Sequence, residues 1–171
     1  DTSPALTTGK ESLYTTFREY EIMFHVSTML PFTEGDSQQL SRKRHLGNDI
    51  VLILFQEGKA PFDPSCVRSF FNHVFVVISK DKRLSKEKDE THYRIAISCK
   101  DGVQEFLPPL PPDYILPKND HSREFLLTKL INSERAAYSA PGFSKAMART
   151  REVLISEIVT SIQSSGGSGW N

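Results

Sequence analysis

The residues best suited to chemistry form a basic cluster at Arg42–Asp49, which reads Arg-Lys-Arg-His-Leu-Gly-Asn-Asp and directly precedes an apolar run at Ile50–Gln56. In a helical conformation Arg44 and Asn48, four residues apart, share one face. A side-chain amide both donates and accepts hydrogen bonds, and arginine binds phosphate or carboxylate through two parallel hydrogen bonds. The cluster therefore suits a site at which a water molecule meets phosphate groups.

The same cluster also has a purely structural interpretation. Gly47 and Asn48 both tolerate the left-handed conformation that commonly ends a helix. The three basic residues Arg42, Lys43 and Arg44 complement the negative end of a helix dipole. Residue types alone favour this structural interpretation over the functional one.

Other candidate sites have weaker support. The sequence contains no phosphate-binding loop, dinucleotide-binding glycine motif, zinc-protease motif or serine nucleophile elbow. Lys plus Arg equals Asp plus Glu, at 21 each, so a nucleic-acid partner has little electrostatic support.

Cys66 and Cys99 lack metal-ligand spacing and are expected to be buried thiols. The remaining histidines are interpreted as core residues (His25 and His73) or solvated ones (His92 and His121).

The elements that must position the cluster alternate between strands and helices. This pattern predicts an α/β fold with a central, mostly buried β-sheet flanked by helices. Apolar alternation predicts strands at Tyr20–Ser27 and His92–Cys99, and continuous apolar runs predict strands covered on both faces at Ile50–Gln56 and Val74–Ile78.

Helices are predicted at Ser37–Leu46, at Ser122–Tyr138 and from Pro141 onwards. The last of these has an apolar stripe made of Phe143, Met147, Leu154, Ile158 and Ile162. Asp63-Pro64 predicts a short helix that buries Val67, Phe70 and Phe71. The highly charged segment Lys80–Glu90 predicts a solvated loop.

A single domain is expected over residues 14–163, between a flexible lead-in at 1–13 and a Ser/Gly-rich tail or linker at 164–171. No apolar run reaches the roughly 18 residues of a membrane span, and no signal-peptide pattern opens the sequence. We therefore expect a cytoplasmic domain, whose recruitment to membranes would depend on regions outside this chain.

Nine segments, taken in order, carry a resemblance to a known family: Tyr20–Pro31, Thr33–Asp36, Gln38–Leu40, Arg42–Val51, Phe55-Gln56, Pro61-Phe62, Arg68–Val77, Pro108–Pro111 and Glu124–Asn132. Together they resemble the catalytic domain of the Rap GTPase-activating proteins, to which the tuberin and Ral-activating domains are related. The resemblance covers roughly residues 14–160, which makes it far more specific than a short motif.

The resemblance implies the fold of that catalytic domain and a role as GTPase-activating protein for a Rap-like small GTPase in its GTP-bound state. In that family an asparagine, the Asn thumb, positions the hydrolytic water, and the matching position here is Asn48. His45, Arg44, Lys43 and Arg42 match neighbouring positions that support the helix and engage the GTPase. The chain would then be an activator rather than an enzyme by itself, without a cofactor of its own, because GTP and Mg²⁺ belong to the partner.

Several alternatives stay open at this point. A domain of this type can dock a small GTPase or a scaffold without stimulating hydrolysis, and the sequence does not decide between Rap, Rheb and Ral. The best-known Rap activators dimerise through a region upstream of the matched part, so we expect a monomer for this chain. We expect neither a nucleic-acid partner nor a membrane span.

Overall fold

A computed structural model describes residues 8–166 of the chain, with side chains described through residue 164. Two strands, β1 (Leu13–Phe17) and β2 (Tyr20–Phe24), form an antiparallel hairpin. A second sheet has the order β3 (Val51–Gln56), β4 (Val74–Lys80), β5 (His92–Cys99) and β6 (Ile115–Pro117). The helices are α1 (Leu40–Asn48), α2 (Lys82–Glu87), α3 (Asp120–Ala137) and α4 (Pro141–Gly166). The predicted mixed α/β architecture is confirmed.

Strand β4 is the centre of the core. It pairs in parallel with β3 on one side and antiparallel with β5 on the other, so its backbone hydrogen bonds are satisfied within the sheet. Val74, Phe75 and Val76 are almost completely buried. On helix α3, Leu127 and Leu130 are also buried. The buried strand predicted at Val74–Ile78 and the helix predicted at Ser122–Tyr138 are thus confirmed.

Strand β3 differs from its prediction. It is the edge strand of the four-stranded sheet and is only half-buried, with Phe55 77% exposed. The prediction of a strand covered on both faces is therefore wrong. A continuous apolar run does not distinguish a central strand from an edge strand, because both carry β-branched and aromatic residues.

Two predictions around short helices also need correction. Helix α1 begins at Leu40 and continues through Asn48, so it lies further along the chain than the predicted span. The Asp36 carboxylate accepts hydrogen bonds from the Leu40 and Gln38 amides, each at 2.9 Å, and this holds the start of the helix. Within the predicted loop at Lys80–Glu90, residues Lys82–Glu87 form α2, because the Asp81 side chain accepts a hydrogen bond from the Leu84 amide and caps the turn.

The segment after Asp63 buries less than predicted. Asp63 caps a single 3₁₀ turn at Pro64–Cys66, which is too short to present a buried face. Phe70 is 67% exposed, Phe71 is also exposed and Val67 is only partly buried. Cys66 and Cys99 are both exposed, so the prediction of two buried thiols is wrong as well.

Helix α4 carries the predicted apolar stripe but does not bury it. Phe143, in the first turn, is 7% exposed, whereas Met147, Leu154, Ile158 and Ile162 are all exposed. The helix leaves the core after its first turn, so the predicted periodicity is present but most of the stripe is exposed.

The two predicted end segments fall partly outside the described residues. Residues 1–7 and 167–171 are not described. Leu13 already belongs to β1, and residues 164–166 continue α4 rather than starting a linker. The division into one domain at 14–163 stays a prediction. None of the helices in the described part of the chain is long and apolar enough to cross a membrane.

Candidate functional site

The exposed face of α1 presents an amide and a guanidinium group at the entrance to β3. Asn48 is the last residue of the helix, and its side chain and that of Arg44, one turn earlier, are exposed. Asp49 follows in an extended conformation (φ −76°, ψ 148°) and leads into the strand. Neither Gly47 nor Asn48 has a positive φ. The expected left-handed helix stop at these two residues is therefore not formed.

The C-terminal end of α1 is held by two side chains from the connection between β3 and β4. The Asn72 amide Nδ2 donates hydrogen bonds to the carbonyls of Leu46, at 2.9 Å, and Asp49, at 2.6 Å. The Ser69 hydroxyl donates to the carbonyl of Gly47. Because the last carbonyls of a helix have no partner within the helix, these bonds satisfy groups that would otherwise be free. We call Ser69 and Asn72 the α1 clamp.

The α1 clamp is itself anchored next to the most deeply buried strand of the sheet. Asn72 is fully buried and lies two residues before the start of β4. The Ser69 hydroxyl accepts hydrogen bonds from the amides of Phe71 (3.0 Å) and Asn72 (3.3 Å). The Lys100 ammonium donates to the Ser69 carbonyl at 2.5 Å. The clamp therefore ties the end of α1 to the core strand.

His73 lies beside this clamp and is a core histidine, as predicted. It is 5% exposed, and its Nδ1 is 2.7 Å from the Phe71 carbonyl oxygen. Its backbone amide donates to the carbonyl of Ile50 at 2.8 Å, which joins the starts of β3 and β4. Its ring lies 4.5 Å from that of Phe143.

Asp49, the residue after Asn48, pairs with a histidine that follows the end of β2. His25 Nδ1 lies 2.8 Å and 3.1 Å from the two carboxylate oxygens of Asp49. The rings of His25 and His45 are 5.6 Å apart and tilted. Burial raises the pKa of the Asp49 carboxyl, although its hydrogen bond with His25 acts in the opposite direction. His25 is therefore a half-buried partner of the residue that follows Asn48.

The basic residues of the cluster separate into two groups. Lys43 and Arg44 are exposed. Arg42 turns back to the preceding loop, where its Nη2 donates to the Leu30 carbonyl at 2.9 Å and its guanidinium lies 5.5 Å from the Phe32 ring centroid. The structure thus brings two cations and the Asn48 amide to the surface of one short helix, which can meet an anionic partner.

Sequence reasoning identified the helix but missed the residues that hold it. Ser69, Asn72 and His25 lie more than 20 residues from Asn48 in the sequence, and no spacing rule connects them to it. One signal was present, since a polar Ser and a polar Asn within five residues of the start of a strongly apolar strand are candidates for side-chain bonds to nearby backbone groups. No group of three or more acidic, histidine or cysteine residues in the range 8–166 could hold a metal ion.

Comparison with known proteins gives consistent matches. A family described as Rap/ran-GAP matches residues 1–152. A GTPase-activating protein of Dictyostelium discoideum is 47% identical over 168 residues, which cover 95% of this chain and 16% of that protein. Signal-induced proliferation-associated 1-like protein 1 of Mus musculus is 46% identical over 152 residues, which cover 88% of this chain and 8% of that protein.

A solved structure agrees with these matches. The TSC2 GAP domain superposes with a TM-score of 0.62 at 29% sequence identity, over 77% of this chain and 67% of that one. The present chain spans only 8% to 16% of the length of the two curated relatives.

Proposed function

The chain belongs to the Rap/ran-GAP family, and from this premise we propose that it stimulates GTP hydrolysis by a Rap-like small GTPase in its GTP-bound state. In this proposal Asn48 enters the nucleotide site of the partner and positions the attacking water. The observation that carries the proposal is the exposed Asn48 amide at the end of a helix whose last carbonyls are held by buried or half-buried side chains.

The chemistry of the reaction fits such a group. Phosphoryl transfer needs an aligned water and stabilisation of developing charge, and it needs little covalent participation from the protein. An amide can accept a hydrogen bond from the water while donating another to a phosphate oxygen. In this proposal GTP and Mg²⁺ are supplied by the GTPase, and the chain contributes only side chains.

The neighbouring residues have separate roles in the proposal. Lys43 and Arg44 are exposed and contact the GTPase surface. Arg42 supports the helix through the Leu30 carbonyl, and His45 supports it through the ring of His25. Changes at Arg44 should therefore weaken the affinity for the GTPase, whereas a change at Asn48 should slow the chemical step.

The first test is the variant Asn48→Ala, assayed by single-turnover GTP hydrolysis on a Rap GTPase. Removing one positioned hydrogen-bonding group from a site of this kind costs on the order of 10²–10³-fold in rate, and we expect a loss of this size. Binding to the GTP-loaded partner should change little. Asn132→Ala is the matched control, because Asn132 lies on α3 and its amide contacts the Leu107 carbonyl instead. Equal stimulation by the wild type and Asn48→Ala would contradict the assignment.

A panel of GTP-loaded Rap, Rheb and Ral proteins tests the choice of partner. We expect the wild-type chain to accelerate phosphate release most strongly with the Rap protein. Binding and hydrolysis are measured on the same samples. Binding to a GTPase without any acceleration would identify the chain as a docking module, which is the alternative function, and stronger stimulation of Rheb or Ral would overturn the Rap assignment.

A further inference from the structure

We propose that Asn72 and Ser69, the α1 clamp, are positioning residues for the reaction, because they fix the last turn of α1 in the orientation that presents Asn48. This inference rests on the proposed function and extends it to two residues in the connection between β3 and β4. Neither residue touches the reacting atoms. Both act through the backbone on either side of Asn48.

The need for such a clamp follows from how α1 is held. The helix has nine residues and buries none of them, so it has no packed apolar face to fix its rotation about its own axis. Short helices are marginal without tertiary contacts. Besides the contacts of Arg42 and His45, the position of the Asn48 side chain therefore depends on bonds at the ends of the helix.

The hydrogen bonds of the clamp enclose Asn48. Asn72 binds the carbonyl of Leu46, two residues before Asn48, and that of Asp49, directly after it. Ser69 binds the carbonyl of Gly47 between them. Three peptide groups around Asn48 are thus attached to one rigid support, and a rotation of the last turn would break more than one bond at the same time.

The chemistry of Asn72 suits this task. A primary amide provides two N–H donors from one planar group, and here the Nδ2 atom serves two carbonyls. The side chain is fully buried, so water cannot replace it. The clamp is held in turn by Lys100 and by the start of β4. It therefore connects the rigid core to the helix end that carries the exposed Asn48.

The test uses Asn72→Leu, which keeps the approximate size of the side chain but removes both donors. A misplacement of about 1 Å can cost on the order of 10²-fold in rate, so we expect kcat for stimulated hydrolysis to fall by about 10-fold to 10²-fold. KM should stay within about twofold, because a change confined to the chemical step lowers kcat without weakening ground-state binding. Asn132→Leu, which removes an amide donor that contacts the Leu107 carbonyl instead of α1, should match the wild type.

A second variant keeps the test decisive if Asn72→Leu does not fold. Ser69→Ala removes the hydroxyl bond to Gly47 at a half-buried position, and we expect a smaller fall in kcat with the same unchanged KM. Hydrogen exchange should become faster at the amides of residues 47–50 and stay unchanged in α3. A merely destabilising change would lower the folded fraction, measured by thermal melting, and leave kcat per folded molecule unchanged.

The outcomes separate the two proposals. A wild-type chain that stimulates no GTPase of the panel would overturn the proposed function, and this inference would fall with it. An active wild type whose kcat is retained in the folded clamp variants would overturn the clamp alone. A fall in kcat together with faster exchange around Asn48 supports the positioning role.

Discussion

Helices α1 and α4 are both exposed along most of their length, but α1 has both ends tied to the rest of the molecule, whereas the described side chains of α4 after Phe143 are all exposed. Asp36 holds the start of α1 through the Leu40 amide, and the α1 clamp holds its end. Among the described side chains of α4 only Phe143 is buried, and every side chain from residue 144 to residue 164 is exposed. The helix with the basic sequence is thus fixed at its ends, whereas the helix with the apolar stripe leaves most of that stripe exposed.

This difference shows that burial and positioning are separate properties of a helix. An apolar stripe orients a helix only where another surface covers it. Side-chain bonds to terminal carbonyls orient a helix without burying it, which leaves its side chains free for a partner. A helix that must insert a residue into another protein is better served by the second arrangement.

The largest expected effect distinguishes the buried first turn of α4 from the exposed remainder of the same helix. Phe143 lies against the rings of His73 and Phe71, so Phe143→Ala should lower the free energy of unfolding by about 3–5 kcal/mol. Ile158→Ser, at an exposed position of the same helix, should change it by no more than about 0.5 kcal/mol. Urea unfolding of both variants measures the difference. Comparable losses would show that the stripe is covered in solution.

Much of the fold could be predicted from sequence periodicity. The strands containing Val74–Ile78 and His92–Cys99 were located correctly, because their apolar patterns reflect burial on a sheet. Phe55 belongs to a strand that was wrongly predicted to be covered on both faces, and the apolar stripe that contains Ile158 is exposed, since periodicity reports an apolar face but not the presence of a neighbour. The tertiary arrangement decides whether an apolar face is covered, and a local sequence pattern does not contain this information.

Two arginines of α1 test, with a smaller expected effect, whether side-chain contacts hold this helix in place. Arg42 combines a hydrogen bond to the Leu30 carbonyl with a ring contact to Phe32, so Arg42→Lys should lower the free energy of unfolding by about 1 kcal/mol. Arg44→Lys, at an exposed position on the same helix, should stay within about 0.5 kcal/mol. Thermal melting of the two variants gives the measurement. Equal stability would mean that Arg42 does not hold the helix.

The candidate site was only partly accessible from sequence. Asn48 and Arg44 could be selected because they lie in one local motif and share a helix face. Asn72 and His25 could not be selected from the sequence. Their roles depend on hydrogen bonds between residues that are 23 to 26 positions apart along the chain. Local residue types identify what a helix can present, whereas long-range hydrogen bonds decide whether it is held in place.

The smallest expected effect concerns the charge at the fixed end of α1. Burial raises the pKa of Asp49 above its ordinary value of 3.8, so the folded chain binds this proton more tightly than the unfolded chain does. The free energy of unfolding contributed by Asp49 therefore falls as the pH rises through the interval from 3.8 up to the raised pKa. Above that interval the ionised carboxylate carries its full desolvation cost, which its contact with His25 offsets only in part.

Asp49→Asn removes this titrating group while keeping the size of the side chain. We expect the stability of the variant relative to the wild type to increase as the pH rises from below 3.8 towards neutrality. Melting temperatures of the variant and the wild type across this range measure the trend. A relative stability that instead falls with rising pH would mean that the ion pair with His25 outweighs burial. The fixed end of α1 would then be held by its charge as well as by the clamp.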